Sequence, residues 1–465
     1  MMFGLSPFPL IFSLNKIIIK HKNVFVKMKK TYHLITIGCQ MNVSDSERIA
    51  AYLEFYGFKP ELNRAKAGLV VLNTCGIRQK AEDRNYGLIP EIKANNPHAK
   101  IILAGCLAER KDVKRRLAKA VDIWLPIKNL PNLYRELGLK KKKPAKKDYL
   151  DIRPLTNSNF SAYVPIGNGC NNFCSYCIVP YARGREVYRS AGAIIAEAKS
   201  FIDQGYKEII LVAQNVNSYK SLITKKDLKC FPKKKEGTEV FFPELLATIA
   251  KLKGDFWLRF FTSHPKNMSA DLIAVMKNNL KVCRQIHLPA QAGDDKILAA
   301  MNRKYTVKRY LSLIKKLRTA MPEIGLSSDI IVGFPGETRK QFANTEKLMK
   351  RAQYDMVYLS RFSPRPLTAA SKLKDNVTAK EKQRREEALN KILSLTARKN
   401  NQRFLHQVIK VLVQEKNKRG EWLGKNEQFI TVKIPGSSVA DLKGKFVKVK
   451  INEAKDFGLT GELVK

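Results

Sequence analysis

The sequence predicts an α/β protein of three parts: an α/β domain, a full or partial (β/α) barrel, and a small β-barrel. Three observations lead there. Apolar strand-like runs alternate with helical stretches from Thr31 to about Pro366, the pattern of βα units around a parallel sheet. A lysine-rich stretch with a proline, "LKKKKPAKKD" at 139–148, divides that run and reads as a linker. After Asn401 the pattern becomes an alternation broken by Gly and Asn, as a small barrel requires. At 465 residues the chain also exceeds what one core ordinarily fills.

The elements follow in order. An apolar run from Met1 to Leu14 precedes Lys16, Lys20, Lys22, Lys27, Lys29 and Lys30. It is too short to span a bilayer, and a signal peptide would carry its charge first. A transit peptide would be richer in Arg and Ser. Residues 1–28 therefore read as a non-native or disordered extension, with Met28 the expected true start. "YHLITIGC" is a buried strand ending at Cys39, and "SDSERIAAYLEFYGF" the helix after it. "GLVVLNTC" and "AKIILAGC" are two more strands, ending at Cys75 and Cys106. Sites in an open, Rossmann-like parallel sheet form beyond the carboxyl ends of its strands. Three cysteines far apart in sequence should thus converge on one edge of a domain spanning 29–145.

The second domain, 155–398, has strands "AYVPIG", "EIILVAQ", "WLRFFT", "QIHLPA", "GLSSDIIVGF" and "MVYLSRF", mostly separated by helices. "TKKDLKCFPKKKEG" (224–237) interrupts it as a charged loop, which makes Cys230 incidental. Thr378 to Glu381 forms a capping box before a helix with Leu389, Ile392, Leu393 and Thr396 on one face. Over 400–465, "HQVIKVLVQEK", "GEWLGKN", "QFITVKI" and "KFVKVKINEAK" are the strands of a basic barrel.

Charge and cysteine content narrow the function. Lys and Arg number 86 against 41 Asp and Glu, a formal net charge of +45. Part of this is a solvated lysine surface, yet so strong a field attracts polyanions, RNA first among them. Eight cysteines in a chain this long fit metal or redox use in a reducing compartment better than a disulfide framework. "GCNNFCSYC" places Cys170, Cys174 and Cys177 as CxxxCxxC. Structural zinc takes four ligands and commonly CxxC pairs, and no fourth His or Cys lies nearby. Three thiolates suit a [4Fe–4S] cluster with one iron open. Such an iron can bind the amino and carboxylate groups of S-adenosylmethionine; one electron passed through the cluster then breaks its sulfonium C–S bond, giving a 5′-deoxyadenosyl radical. Cys283 has no cysteine neighbour and reads as packing.

Across about residues 31–465 the chain resembles the radical S-adenosylmethionine methylthiotransferase family, most nearly the group that acts on prenylated adenosine in tRNA. The matching stretches are "IGCQMNVSDSER", "LNTCGIRQKAEDR", "LAGCLAER", "GCNNFCSYCIVPYARGRE", "AQNVNSY", "TSHP", "IHLPAQAGDDKIL" and "SSDIIVGFPGET". The resemblance implies a partial radical barrel and a C-terminal TRAM-type RNA-binding barrel. It implies that Cys39, Cys75 and Cys106 hold a second [4Fe–4S] cluster carrying the sulfur to be inserted. It implies methylthiolation of C2 of N6-(dimethylallyl)adenosine next to the anticodon, with S-adenosylmethionine used both as methyl donor and as radical source. A C2–H that is neither acidic nor a leaving group gives acid–base catalysis little purchase, so the cofactors perform the difficult step. A reductant such as flavodoxin or ferredoxin, a sulfur donor and tRNA are the implied partners of a cytoplasmic monomer with no membrane association. Two positions depart from the family: Ala292, where Ser is general, and Leu367, where Gly usually follows the RP pair.

Lesser motifs divide between roles. Gln214 and Asn217 in "AQNVNSY" face cofactor or substrate, with loop capping as the alternative. Arg183 and Arg185 contact the RNA backbone or form a solvated pair. "VGFPGE" (332–337) is a tight turn or lies near the cofactor, and His264 and His287 read as satisfied core histidines. The rival activities are methylthiolation of threonylcarbamoyl-adenosine or of a ribosomal-protein aspartate. A non-catalytic RNA-binding protein has no need of an open-site CxxxCxxC.

Overall fold

A computed structural model describes residues 29–77, 79–143, 148–436 and 441–464. The expected extension 1–28, with its start at Met28, lies outside the described residues, as do 144–147 of the linker.

The first unit is a five-stranded parallel sheet in the order β2-β1-β3-β4-β5. Its strands are β1 (Thr31–Ile37), β2 (Lys59–Pro60), β3 (Leu69–Thr74), β4 (Lys100–Gly105) and β5 (Ile123–Leu125). β3 is buried throughout, because helices and the neighbouring domain cover both faces of a parallel sheet. Val71 and Ile102 face one apolar core, Val70 and Ile101 the other. The helix Gln40–Phe55 buries Asn42, Ser44, Asp45, Ser46, Glu47 and Arg48, so it is not an amphipathic surface helix. It packs between the sheet and the next domain, and most of its buried polar groups find partners there. Asn42 and Ser46 bond Asn73, Arg48 donates to Ser44 and Glu197, and the Glu47 carbonyl accepts from the Leu155 N–H.

The second unit contains all six expected strands: β6 (Ser161–Pro165), β9 (Glu208–Val212), β12 (Trp257–Phe260), β13 (Gln285–His287), β14 (Gly325–Val332) and β15 (Met356–Arg361). They pair in parallel as β6-β9-β12 and β13-β14-β15, and a parallel bridge between Leu258 and Val282 joins the halves. The barrel is thus partial. Two hairpins decorate it, β7 (Gly167–Asn168) with β8 (Val187–Tyr188) and β10 (Lys220–Leu222) with β11 (Glu239–Phe241). The latter carries the charged insertion, which is anchored rather than loose. Asp227 is buried and accepts from the Gly192 N–H at 2.7 Å, and Phe231 enters the core. Cys230 packs against that core, and Cys283 is buried with Phe160, Trp257 and Leu412.

The helix Ala379–Asn401 begins at Thr378, whose hydroxyl accepts from the Glu381 N–H. Only half of the expected capping box forms: the Glu381 carboxylate turns instead to Arg384 and Arg385. The chain then closes a five-stranded barrel, β16 (Val408–Lys416), β17 (Trp422–Asn426), β18 (Thr431–Ile434), β19 (Phe446–Lys455) and β20 (Gly458–Leu463), in the order β16-β17-β18-β20-β19. β20 was not among the expected strands because its two glycines break the alternation. One of them is required: a Cβ on Gly461 would lie 2.3 Å from the Lys450 carbonyl oxygen. This barrel docks on the beginnings of the central strands. Arg259, fully buried, pairs with Glu208 at 2.7 Å and donates to the carbonyls of Asn426 and Glu427, each at 2.7 Å. Among the described residues no helix is long and apolar enough to cross a membrane.

One buried carboxyl at the seam between the first two units makes their packing pH-dependent. Glu47 Oε1 accepts from the Asn157 N–H at 3.1 Å, Oε2 has no partner among the described residues, and burial pushes its carboxyl up to about 7. A carboxyl raised above its ordinary ~4.3 binds more protons folded than unfolded between those values. Stability therefore falls as pH rises through that window and is level above it. Glu47→Gln should melt closer to the wild type at pH 5 than at pH 8, where the variant gains; parallel melting curves across the window would refute this.

Candidate metal centre

The first cysteine triad follows from strand register. β1, β3 and β4 are neighbours, with Ile37 opposite Thr74 and Thr74 opposite Gly105. The residues just beyond, Cys39, Cys75 and Cys106, therefore emerge side by side at the carboxyl edge. Glycines permit the close approach. A Cβ on Gly38 would lie 2.3 Å from Asn42 Oδ1, and Gly105 at φ +84 would place one 2.5 Å from Asn73 Oδ1. Cys39 caps the helix Gln40–Phe55 and is exposed, while Cys75 and Cys106 are buried. The Ile77 N–H donates to Cys75 Sγ at 3.4 Å, and Arg183 Nε donates to Cys106 Sγ at 3.3 Å.

The second triad sits in the loop between β7 and β8. Its backbone is fixed from several sides. The Gly169 N–H donates to Gln214 Oε1 at 2.6 Å, the Cys170 N–H to the Gly184 carbonyl, and the Asn302 amide to the Phe173 carbonyl. Asn172 Nδ2 donates to Cys170 Sγ at 3.4 Å and Arg303 Nη1 to Cys174 Sγ at 3.5 Å. Burial pushes the Cys170 and Cys177 thiols up. Arg303 tests what the triad holds. It is buried, its partners are Cys174, Tyr305 and the Pro289 carbonyl, and among the described residues no carboxylate pairs with it. A buried cation without a counter-charge is costly, so the site calls for anionic sulfur. Thiolates on an iron–sulfur cluster meet that need. Among the described residues no three His, Cys, Asp or Glu side chains close around a single ion; a cubane cluster binds its thiolates on separate irons.

The other expected site residues fall in different places. Gln214 supports the cysteine loop as described. Asn217 is buried with both amide ends on the backbone of His264, at 3.1 and 2.8 Å, which is the loop-capping alternative. Arg183 has no face for an RNA backbone. It is buried, and it pairs with Asp45 at 2.6 Å, Asn168 Oδ1 at 3.0 Å and Cys106. Arg185 is exposed, with its guanidinium over the Phe173 ring. His264 is a buried histidine held neutral, its ring pushed down to about 2 by burial and then by Arg303 and Lys266. "VGFPGE" is a tied turn, with the Glu337 carboxylate between the Gly333 N–H and Arg385. Of the two departures from the family, Leu367 has φ +72, a conformation that favours glycine. Ala292 is buried in the core.

Sequence reasoning missed other groups at the carboxyl ends of β9 and β12. Both side-chain amide atoms of Asn215 and the Ser263 hydroxyl are buried without partners among the described residues. Thr262 and Gln291, beyond β12 and β13, have φ +67 and +70. Orphaned polar atoms and strained backbone together mark a polar ligand site. "AQN", "TSHP" and "LPAQAG" were the available signals, but none tells a free side chain from a capped one.

Models of three families match the chain: the Radical SAM superfamily over 164–349, the Uncharacterized protein family UPF0004 over 31–126, and the TRAM domain over 402–464. Curated relatives named tRNA-2-methylthio-N(6)-dimethylallyladenosine synthase are similar over nearly the whole length. The one from Carboxydothermus hydrogenoformans is 39% identical, covering 94% of this chain and 100% of its own. That from Endomicrobium trichonymphae is 38% identical over 93% and 100%. Among solved structures, the radical S-adenosylmethionine methyltransferase TsrM of Kitasatospora setae is 13% identical, covers 74% of this chain and 77% of its own, and has a TM-score of 0.48. With near-complete alignment to those relatives at 38–39% identity, the chain belongs to the tRNA-2-methylthio-N(6)-dimethylallyladenosine synthase family.

Proposed function

We propose that this protein methylthiolates C2 of N6-(dimethylallyl)adenosine beside the anticodon of tRNA, with two [4Fe–4S] clusters and S-adenosylmethionine. One observation carries the reading. The short helix Val179–Arg183 starts two residues after Cys177 and ends on Arg183, whose guanidinium touches Cys106 Sγ. Two cysteine triads from different domains are thus one short helix apart, close enough to serve one reaction.

Cys170, Cys174 and Cys177 would hold the cluster that binds S-adenosylmethionine, and Cys39, Cys75 and Cys106 the second. Bound there, these groups supply the one-electron chemistry and the sulfur that an unactivated aryl C–H demands. The protein's own part is positioning. Gln214 and Asn302 fix the first cysteine loop, Arg303 balances its charge, and the unpartnered amide of Asn215 and hydroxyl of Ser263 offer hydrogen bonds to a polar ligand. Exposed Lys416, Lys418, Arg419, Lys445, Lys448 and Lys450 on the C-terminal barrel would attract tRNA phosphates. A reductant such as flavodoxin or ferredoxin and a sulfur donor complete the reading, for a monomer working in the cytoplasm.

Two experiments test it. Alanine at Cys170, Cys174 or Cys177 should abolish 5′-deoxyadenosine formation. Alanine at Cys39, Cys75 or Cys106 should leave that cleavage measurable and stop methylthio transfer, so normal product from Cys75→Ala would end the assignment. The second offers anticodon stem-loops bearing adenosine, prenyl-adenosine or threonylcarbamoyl-adenosine. At ~0.8 kcal/mol per buried CH₂ the five-carbon tail should favour the prenylated loop over adenosine at least about tenfold. Best turnover with the threonylcarbamoyl loop would transfer the protein to the rival activity.

A further inference from the structure

The inner wall of the central barrel carries a carboxylate that neither cysteine triad uses. Along β14, Leu326, Ile330 and Val332 enter the core beneath the outer helices, while Ser327 and Asp329 alternate to the other face, toward the barrel interior. On the adjacent strand, His287 ends β13 directly opposite Ser327. Its ring bridges the two strands, with Nδ1 3.0 Å from Ser327 Oγ and Nε2 3.2 Å from Asp329 Oδ2. The Tyr358 ring of β15 lies 5.9 Å from the His287 ring.

The ion pairing of this group is unusual for its setting. In a chain of net charge +45, Asp329 has no lysine or arginine partner among the described residues; its one ion-pair neighbour is His287. The ring can satisfy both nitrogens in place, Nδ1 accepting from the Ser327 hydroxyl while Nε2–H donates to Asp329. That leaves the second oxygen of Asp329 as an open acceptor, and its side chain is 39% exposed. A carboxylate held in a fixed orientation with an open oxygen is a receptor for an N–H donor.

We propose that Asp329, oriented by His287, recognises the exocyclic N6–H of the substituted adenine, so that the pair reads the base at the edge that carries the substituent. This rests on the function proposed above. A secondary aromatic amine offers a single N–H, and carboxylates accept from exocyclic base amines; a base from an unpaired loop can present that edge. Asp329 is then a specificity residue touching substrate, and His287 a positioning residue.

The test uses the full-length, anaerobically reconstituted protein and three stem-loops. Their target bases are adenine, N6-dimethylallyl-adenine, and O6-dimethylallyl-hypoxanthine, in which an ether oxygen replaces the N–H. Binding is measured by titration, with S-adenosylmethionine binding and iron content followed in parallel. Wild type should prefer the N6 loop over the O6 loop by about 10- to 100-fold, the range for a hydrogen bond to a charged group. Asp329→Ala should lose the preference by weakening only the N6 loop, and Asp329→Asn, which keeps an acceptor oxygen, should retain part of it. His287→Gln, which keeps an N–H near the carboxylate, should hold more of the preference than His287→Ala. The proposal is overturned if wild type binds both prenylated loops alike, if Asp329→Ala keeps the preference, or if that variant weakens S-adenosylmethionine instead. Equal wild-type affinity for the adenine and N6-prenyl loops would count against the prenyl substrate, while a surviving N6-over-O6 preference would still uphold the base contact.

Discussion

The ion pair between Arg183 and Asp45 is the contact on which the arrangement of the two cysteine triads depends. Both side chains are buried and 2.6 Å apart, one on the helix after the second triad and the other on the helix after the first. Opening the seam without rehydrating both groups would leave two unpaired buried charges, a penalty of several kcal/mol per ion. The same guanidinium donates to a sulfur of the first triad. Its geometry therefore answers to three things at once: the domain seam, the first triad, and through Asn168 the hairpin that holds the second. Two further bridges reinforce the seam. Glu197 receives Arg48 from one side and Arg189 from the other, and Glu82 receives Arg110 and Arg365. A seam built of polar pairs is less forgiving of shear than an apolar one, because each hydrogen bond fixes direction as well as distance.

This dependence explains why the helix Gln40–Phe55 looks wrong as a surface helix. Its run of Asn, Ser, Asp, Ser, Glu and Arg is buried because every turn faces either the sheet or the barrel. Arg365 shows the same economy at the other edge of the seam, donating to the Ile77 carbonyl at 2.8 Å beside Cys75. Leu367, two residues on, is held at φ +72 in the turn that follows this arginine, so the backbone there is set by the contact and not by the preference of its residue.

Much of this was legible in the sequence, and the illegible parts share a cause. The gathering of Cys39, Cys75 and Cys106 at one sheet edge could be read because each follows a strand of one parallel sheet. All six central strands could be read because buried parallel strands are continuous apolar runs. Arg183 could not: its partner Asp45 is 138 residues away, and nothing local separates a buried bridge from an exposed RNA contact. Asn217 and Asn215 illustrate the same limit two residues apart, one capped on His264 and the other unpartnered. The half-formed capping box shows it again, since whether Glu381 reaches back to the cap or forward to Arg384 and Arg385 depends on which competing donors are near.

The C-terminal barrel then has a role that its charge alone does not express. Its turn after β17 reaches the central barrel, where Phe429 packs against Phe261 at 5.0 Å and over the Arg259 guanidinium. Arg259, in turn, bonds the carbonyls of Asn426 and Glu427 and pairs with Glu208 at the start of β9. A six-stranded partial barrel is open where a complete one would be packed with its own side chains, and here the neighbouring domains fill the gap. The first domain contributes to a core shared with Ile210 and Val212, and the C-terminal barrel closes the end away from the cysteines. Closure from that end leaves the carboxyl ends of the strands as the way in. For chemistry that passes through reactive radicals, exclusion of water matters as much as the ligands, and the C-terminal barrel, basic as it is, covers this end of the central strands through Arg259 and Phe261.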